Sequence, residues 1–165
     1  MNINRVGDIY SMDNEIDEII NEAKLSCCVE CGKCVAVCPL REIFEEFTYK
    51  LSPRGLVKRA LMGHDISGIL KGKDIWFCLG CTACTDICPA GVKYAEFIEA
   101  LRSIAIRDGI TEYCSLCERC GSYFLTTPIL DNIRRVMEQK GLSSEFLDQC
   151  PKCRKYDLVK KVVKK

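Results

Sequence analysis

Apolar positions recur at helical spacing along most of the chain. From Asp13 to Leu25, Ile16, Ile19, Ile20 and Ala23 fall three or four apart with acidic residues early, which predicts an amphipathic helix. Glu42 to Phe47 places Ile43, Phe44 and Phe47 at i, i+1 and i+4, again a helical pattern. Ser52-Pro53 opens a third helix, serine as cap and proline at the first position, with Leu56, Val57, Ala60 and Leu61 as its buried face and Gly63 as its end. Val92 to Arg107 carries the clearest stripe, through Ala95, Ile98, Leu101 and Ala105, and Asp108-Gly109 stops it. Further on, Thr127 caps and Pro128 starts a helix faced by Ile129, Ile133 and Val136 and closed by Gly141. Lys155 to Lys165 reads as a mobile, lysine-rich tail. The expected fold class is all-α, with a boundary near Asp108 to Thr111 that separates residues 1–110 from 111–165.

Composition changes this picture in one respect. The 165 residues are 48% hydrophobic and 28% charged, which is ordinary for a folded chain, but fourteen are cysteines. The first twenty residues carry Asp8, Asp13, Glu15, Asp17 and Glu18, where a secretory leader needs a basic start and an apolar run, and no stretch is long and apolar enough to span a bilayer. A cytoplasmic location is therefore expected, and there thiols stay reduced, so the cysteines point to metal. The formal charge of +1 counts every thiol as neutral. Thiols that bind metal are deprotonated, so a metal-loaded chain would be markedly more negative than this count.

The spacings name the metal. Cys28, Cys31, Cys34 and Cys38-Pro39 follow C-x2-C-x2-C-x3-C-P, and Cys78, Cys81, Cys84 and Cys88-Pro89 repeat it 50 residues on. This run is a known signature of bacterial [4Fe-4S] ligation. Three cysteines at x2 spacing wrap a short loop around one face of a cubane, and the fourth has left the loop and reaches the other cluster. One cluster then takes Cys28, Cys31, Cys34 and Cys88, the other Cys78, Cys81, Cys84 and Cys38. Zinc knuckles would leave a regular third and fourth cysteine unexplained twice, and a thioredoxin-like site would need a βαβ context. Crossed ligands keep the two clusters close, as electron hopping requires, whereas one cluster would suffice as a staple.

A compact ferredoxin has a short, strand-like interval between its motifs, and here the interval is helical. With both cysteine blocks, Leu51-Ser52-Pro53-Arg54 leading to Leu61-Met62-Gly63, and Ile75-Trp76-Phe77-Cys78, residues from Glu15 to Ile106 resemble the α-helical ferredoxins, and among them the small iron–sulfur subunit of heterodisulfide reductase. The resemblance implies a relay between a flavin-containing subunit and a catalytic, disulfide-reducing subunit bearing a Cys-Cys-Gly signature. This chain has Cys27-Cys28 followed by Val29, so that chemistry is not expected here, and Cys27 reads as a packed or spare thiol. No acid–base pair, phosphate loop or nucleotide fingerprint is visible, so no catalytic residue is assigned and no independent turnover is expected.

Past the boundary, Cys117-Glu-Arg-Cys120-Gly121 and Cys150-Pro-Lys-Cys153 form two knuckles separated by 29 residues, the pattern of a zinc ribbon. A zinc ion on Cys117, Cys120, Cys150 and Cys153 would hold together a piece too small for its own core. The rival is a third [4Fe-4S] cluster on Cys114, Cys117, Cys120 and Cys150, which repeats the x2 run and the trailing proline. This extension departs from the simple pattern of the heterodisulfide reductase relay. It keeps open an iron–sulfur subunit of a hydrogenase, formate dehydrogenase or other anaerobic oxidoreductase. A redox-sensing or nucleic-acid-binding ribbon is the third reading, prompted by Lys152, Arg154, Lys155, Lys160, Lys161, Lys164 and Lys165; a solvated lysine tail is commoner, and no interleaved aromatics support stacking. Of the remaining residues, His64 reads as an exposed turn residue and Trp76 as a shield for cluster or core. Arg54 reads as a surface charge on a capped helix or a contact to an acidic partner. Lys33 is expected to raise, and Asp86 to lower, the potential of its own cluster, making the first the easier to reduce.

Overall fold

A computed structural model describes residues 14–62 and 66–163, which divide into two compact units, Met1–Ile110 and Thr111–Lys165. The first unit is helical. Helix α1 covers 14–22, α2 Lys33–Ala36, α3 Leu40–Ile43, α4 Pro53–Leu61, α5 Ile66–Lys71, α6 Ala83–Asp86 and α7 Tyr94–Arg107. Three 3-10 turns, Leu25–Cys27, Tyr49–Leu51 and Asp74–Trp76, link them. The two short helices α2 and α6 lie against each other; α4 backs the first and α7 the second.

Helix α4 shows how local chemistry sets the frame. Ser52 is fully buried; its hydroxyl donates to the Tyr49 carbonyl at 2.6 Å and accepts from the Gly55 N–H at 3.1 Å, while Pro53 supplies the preset φ of the first turn. A Cβ on Gly55 would stand 2.0 Å from the Tyr49 carbonyl oxygen, so only glycine lets the preceding turn fold onto the helix. Leu56, Val57 and Ala60 form the buried face as expected; the last helical residue is Leu61, and Gly63 and His64 lie outside the described residues. Asp74, nearly buried, accepts from Arg59 and ties the helix to the turn that carries Trp76.

Helix α7 begins at Tyr94 rather than Val92, and its stripe is wider than the sequence suggested. Tyr94, Phe97, Ile98, Leu101, Ile104 and Ala105 are all buried, against Ile69, Leu70 and a fully enclosed Trp76, so this tryptophan belongs to the core. Each large side chain enclosed in this way stabilises the fold by about 1.5–3 kcal/mol. Arg107 donates through both terminal nitrogens to the Glu15 carboxylate at 2.7 and 2.8 Å, fastening α1 to the end of α7. Helix α1 ends earlier than the apolar pattern implied, because Lys24 in a left-handed conformation turns the chain before Leu25; Asp13 lies outside the described residues. The pattern over Glu42–Phe47 yields only the last turn of α3, because Phe44 goes extended to set its ring edge-on to Phe77 at 4.9 Å.

The second unit is not all-α. Strands β1 (Cys114–Leu116) and β2 (Tyr123–Thr126) form an antiparallel hairpin with partners Cys114–Thr126, Ser115–Leu125 and Leu116–Tyr123, bulged between Ser115 and Leu116. Helix α8 (Thr127–Gln139) follows with Thr126, not Thr127, as its cap position. Helix α9 (Pro151–Val163) occupies most of the stretch expected to be a mobile tail. Arg119 explains its first half, reaching Asp157 at 2.6 Å and lying 4.2 Å from the Tyr156 ring centre. Among the described residues here, Ile129, Leu130 and Leu147 are the only buried large aliphatics, alongside Cys117 and Cys150. A core that small needs a staple. Among the described residues of the chain no helix is long and apolar enough to cross a membrane.

Candidate metal centres

The two cysteine loops are built alike. Each has two residues in the left-handed region: Glu30 and Gly32 in the first, Gly80 and Thr82 in the second. These turns curl each loop so that its thiols face one cavity, and Gly32 and Thr82 then begin α2 and α6. For a β-branched residue such as Thr82 this backbone is strained. Its hydroxyl donates to Asp86 at 3.1 Å, so this carboxylate braces its own loop.

The cavities sort the cysteines. One is lined by Cys28, Cys31, Cys34 and Cys88, together with Cys84. The other is lined by Cys38, Cys78, Cys81 and Cys84. The last cysteine of each block therefore lines the cavity of the other block. Pro53, Cys84 and Tyr94 contribute to both walls. Cys31 and Cys81 are exposed at the rims, while the other six are half-buried. Cys27 is exposed and lines neither cavity.

Burial pushes the Cys34, Cys38 and Cys78 thiols up, and Cys84 up to about 12. Thiolates crowded in this way need a cation, and a donor set of soft sulfurs is the one that iron–sulfur clusters use. Backbone N–H groups already point at sulfur: Gly80 at Cys78 and Val92 at Cys88, both at 3.4 Å.

Three residues that sequence reasoning undervalued support the sites: Tyr94 and Arg54 line cavities, and Arg102 holds the second loop by its backbone. Arg102 donates from Nη2 to the carbonyls of Ile75 at 2.7 Å and Cys78 at 2.5 Å, and its charge holds the Cys78 thiol down against burial. Tyr94 is buried between the cavities, and burial, reinforced by Cys78, Cys84 and Cys38, pushes its phenol well above the usual range. Arg54 is no isolated surface charge: it lines the first cavity and pairs with Glu30 at 2.5 Å. No helical periodicity announces these roles, although Tyr94 does continue the α7 stripe one turn toward its start. Lys33 is exposed.

In the second unit the sulfurs of Cys117, Cys120, Cys150 and Cys153 lie within 4.8 Å of one another. Cys120 and Cys150 Sγ are 3.8 Å apart, and the Cys150 N–H donates to Cys117 Sγ at 3.2 Å. That N–H draws the Cys117 thiol down to about 6, and contacts from Ser122 lower Cys120. Burial and the three neighbouring sulfurs push Cys153 up to about 12. Cys114 is paired with Thr126 in the hairpin and is not part of the group.

No curated protein matches the chain. Residues 24–92, which hold all eight cysteines of the two blocks, match the family model described as a 4Fe-4S dicluster domain, and this supports an iron–sulfur, ferredoxin-like protein.

Proposed function

We propose that the chain is an electron relay that holds two [4Fe-4S] clusters in its first unit, one on Cys28, Cys31, Cys34 and Cys88 and the other on Cys78, Cys81, Cys84 and Cys38. The observation that carries this reading is the pair of adjoining cavities, each lined by one complete crossed set. When bound, each cluster supplies one-electron chemistry. The chain's own residues do the rest. Six half-buried cysteines exclude bulk water, the exposed Cys31 and Cys81 bring each site to the surface, and Pro53 and Tyr94 form the wall between. In the second unit, a zinc ion on Cys117, Cys120, Cys150 and Cys153 staples hairpin to helix. The 3.8 Å sulfur separation supports it, since tetrahedral Zn–S bonds of about 2.3 Å set sulfurs about 3.8 Å apart, and a cubane spreads them further.

Following the resemblance to the relay of heterodisulfide reductase, the proposed partners are a flavin-containing subunit and a Cys-Cys-Gly subunit that carries out the reduction. Iron, sulfide and zinc analysis of anaerobically purified protein, with EPR after dithionite reduction, tests the cofactors. About eight irons, one zinc and two interacting signals are expected; about twelve irons without zinc would remove the ribbon. Co-purification of the tagged chain that recovers neither partner would count against the assembly.

A further inference from the structure

Arg54 enters the first cavity from the second position of α4, beside Cys28, Cys31, Cys34 and Cys88. Its Nη2 is held by Glu30 Oε2 at 2.5 Å, and Glu30 belongs to the Cys28–Cys31 loop and sits there in a left-handed conformation. Nη1 stands 3.9 Å from where a Cβ of Gly32 would be, so the guanidinium lies along that loop. Its Nε is buried and finds no hydrogen-bond acceptor among the described residues. An orphaned guanidinium N–H is costly, and native structures rarely leave one without an acceptor.

Resting on the two-cluster reading, we infer that Arg54 Nε–H is a hydrogen-bond donor to a sulfur of the first cluster, and that Glu30 is the clamp that fixes it there. Uptake of one electron takes such a cluster with its thiolates from about −2 to about −3, so a donor at sulfur favours the reduced form. Lys33 lines this cavity too, but it is exposed and water screens its charge. The ion pair makes Arg54 and Glu30 together nearly neutral, so the hydrogen bond, rather than net charge, carries the effect. The two residues then act with opposite sign: loss of the donor disfavours reduction, while Glu30→Gln keeps an oxygen to hold Nη2, so the clamp stays, and removes a negative charge, which favours it.

The experiment is a potentiometric EPR titration of the full-length, anaerobically reconstituted protein, the first cluster being assigned by the signal lost in Cys31→Ser. Arg54→Met should shift the reduction equilibrium of the first cluster about tenfold toward the oxidised form, about 59 mV, and leave the second unmoved. Arg54→Lys, which keeps the charge and loses the planar N–H, should shift the same way. Glu30→Gln should shift it the other way. A wild-type protein without eight irons would sink the two-cluster reading itself. Loaded variants whose first cluster titrates as in wild type would overturn the role of Arg54. If Arg54→Met fails to load, unchanged potentials in Arg54→Lys and Glu30→Gln would overturn it equally.

Discussion

Arg102 donates to the carbonyl oxygen of Cys78 at 2.5 Å, so a cation on the longest helix of the first unit holds the first cysteine of the second loop by its backbone. The same side chain also anchors Ile75 through Nε and Nη2, and no carboxylate pairs with it among the described residues. Replacing it with Met is expected to destabilise the unit by about 1.5–3 kcal/mol, as for loss of a charged hydrogen bond, and to lower the potential of the second site alone. Denaturant melts and redox titration of Arg102→Met and Arg102→Lys check both; Lys should restore part of the potential and little of the stability.

Crossed ligation predicts an outcome that loop-by-loop ligation does not. Cys88→Ser should remove the signal of the cluster on the first loop, and Cys38→Ser that of the cluster on the second. Each variant should retain about half of the iron. EPR of the two variants in which each loses the signal of its own loop would defeat the crossed arrangement.

Zinc should depend on Cys153 and not on Cys114. Cys153→Ala is expected to lose the ion and the fold of residues 111–165 with it, whereas Cys114→Ala keeps both. Chelator titration followed by proteolysis gives the readout. Resistance of the chelated unit to protease would show that the ion is not its staple.

Gly55→Ala tests the packing of α4. The added methyl meets the Tyr49 carbonyl at 2.0 Å, and the backbone there cannot yield as a flexible side chain would. A loss of about 1–3 kcal/mol is expected. A thermal melt that matches wild type would mean that the turn relaxes freely.

Acid should loosen α1 first. Arg107 holds the Glu15 carboxyl below its ordinary value, so this contact contributes fully above that value and fades as pH falls through the depressed one. Both groups are substantially exposed, so Glu15→Gln should cost only a few degrees at neutral pH, and the deficit should vanish in acid. Melts of the two proteins across that range decide it.

How much of this was legible in the sequence depended on the distance between partners. The cap at Ser52-Pro53 and the α7 stripe are local, and they could be read. The helix pattern at Glu42–Phe47 failed because Phe77, more than thirty residues away, claims Phe44. The tail at Lys155 became helix because Asp157 finds Arg119, 38 residues earlier. The hairpin was missed because three paired residues beside a metal knuckle carry almost no periodicity. Motif spacing picked out the cysteines that line the two cavities, but it could not show that Arg54 lines one of them or that Arg102 reaches the Cys78 carbonyl, since charge alone predicts solvent.

Each loop sends its last cysteine into the cavity of the other, and the left-handed residues fall at the same two places in both. The repeat is thus a unit of sequence but not of assembly. Neither loop brings four cysteines to its own cavity, so neither half carries a four-thiol site by itself. A break between the loops would therefore open both cavities and not one.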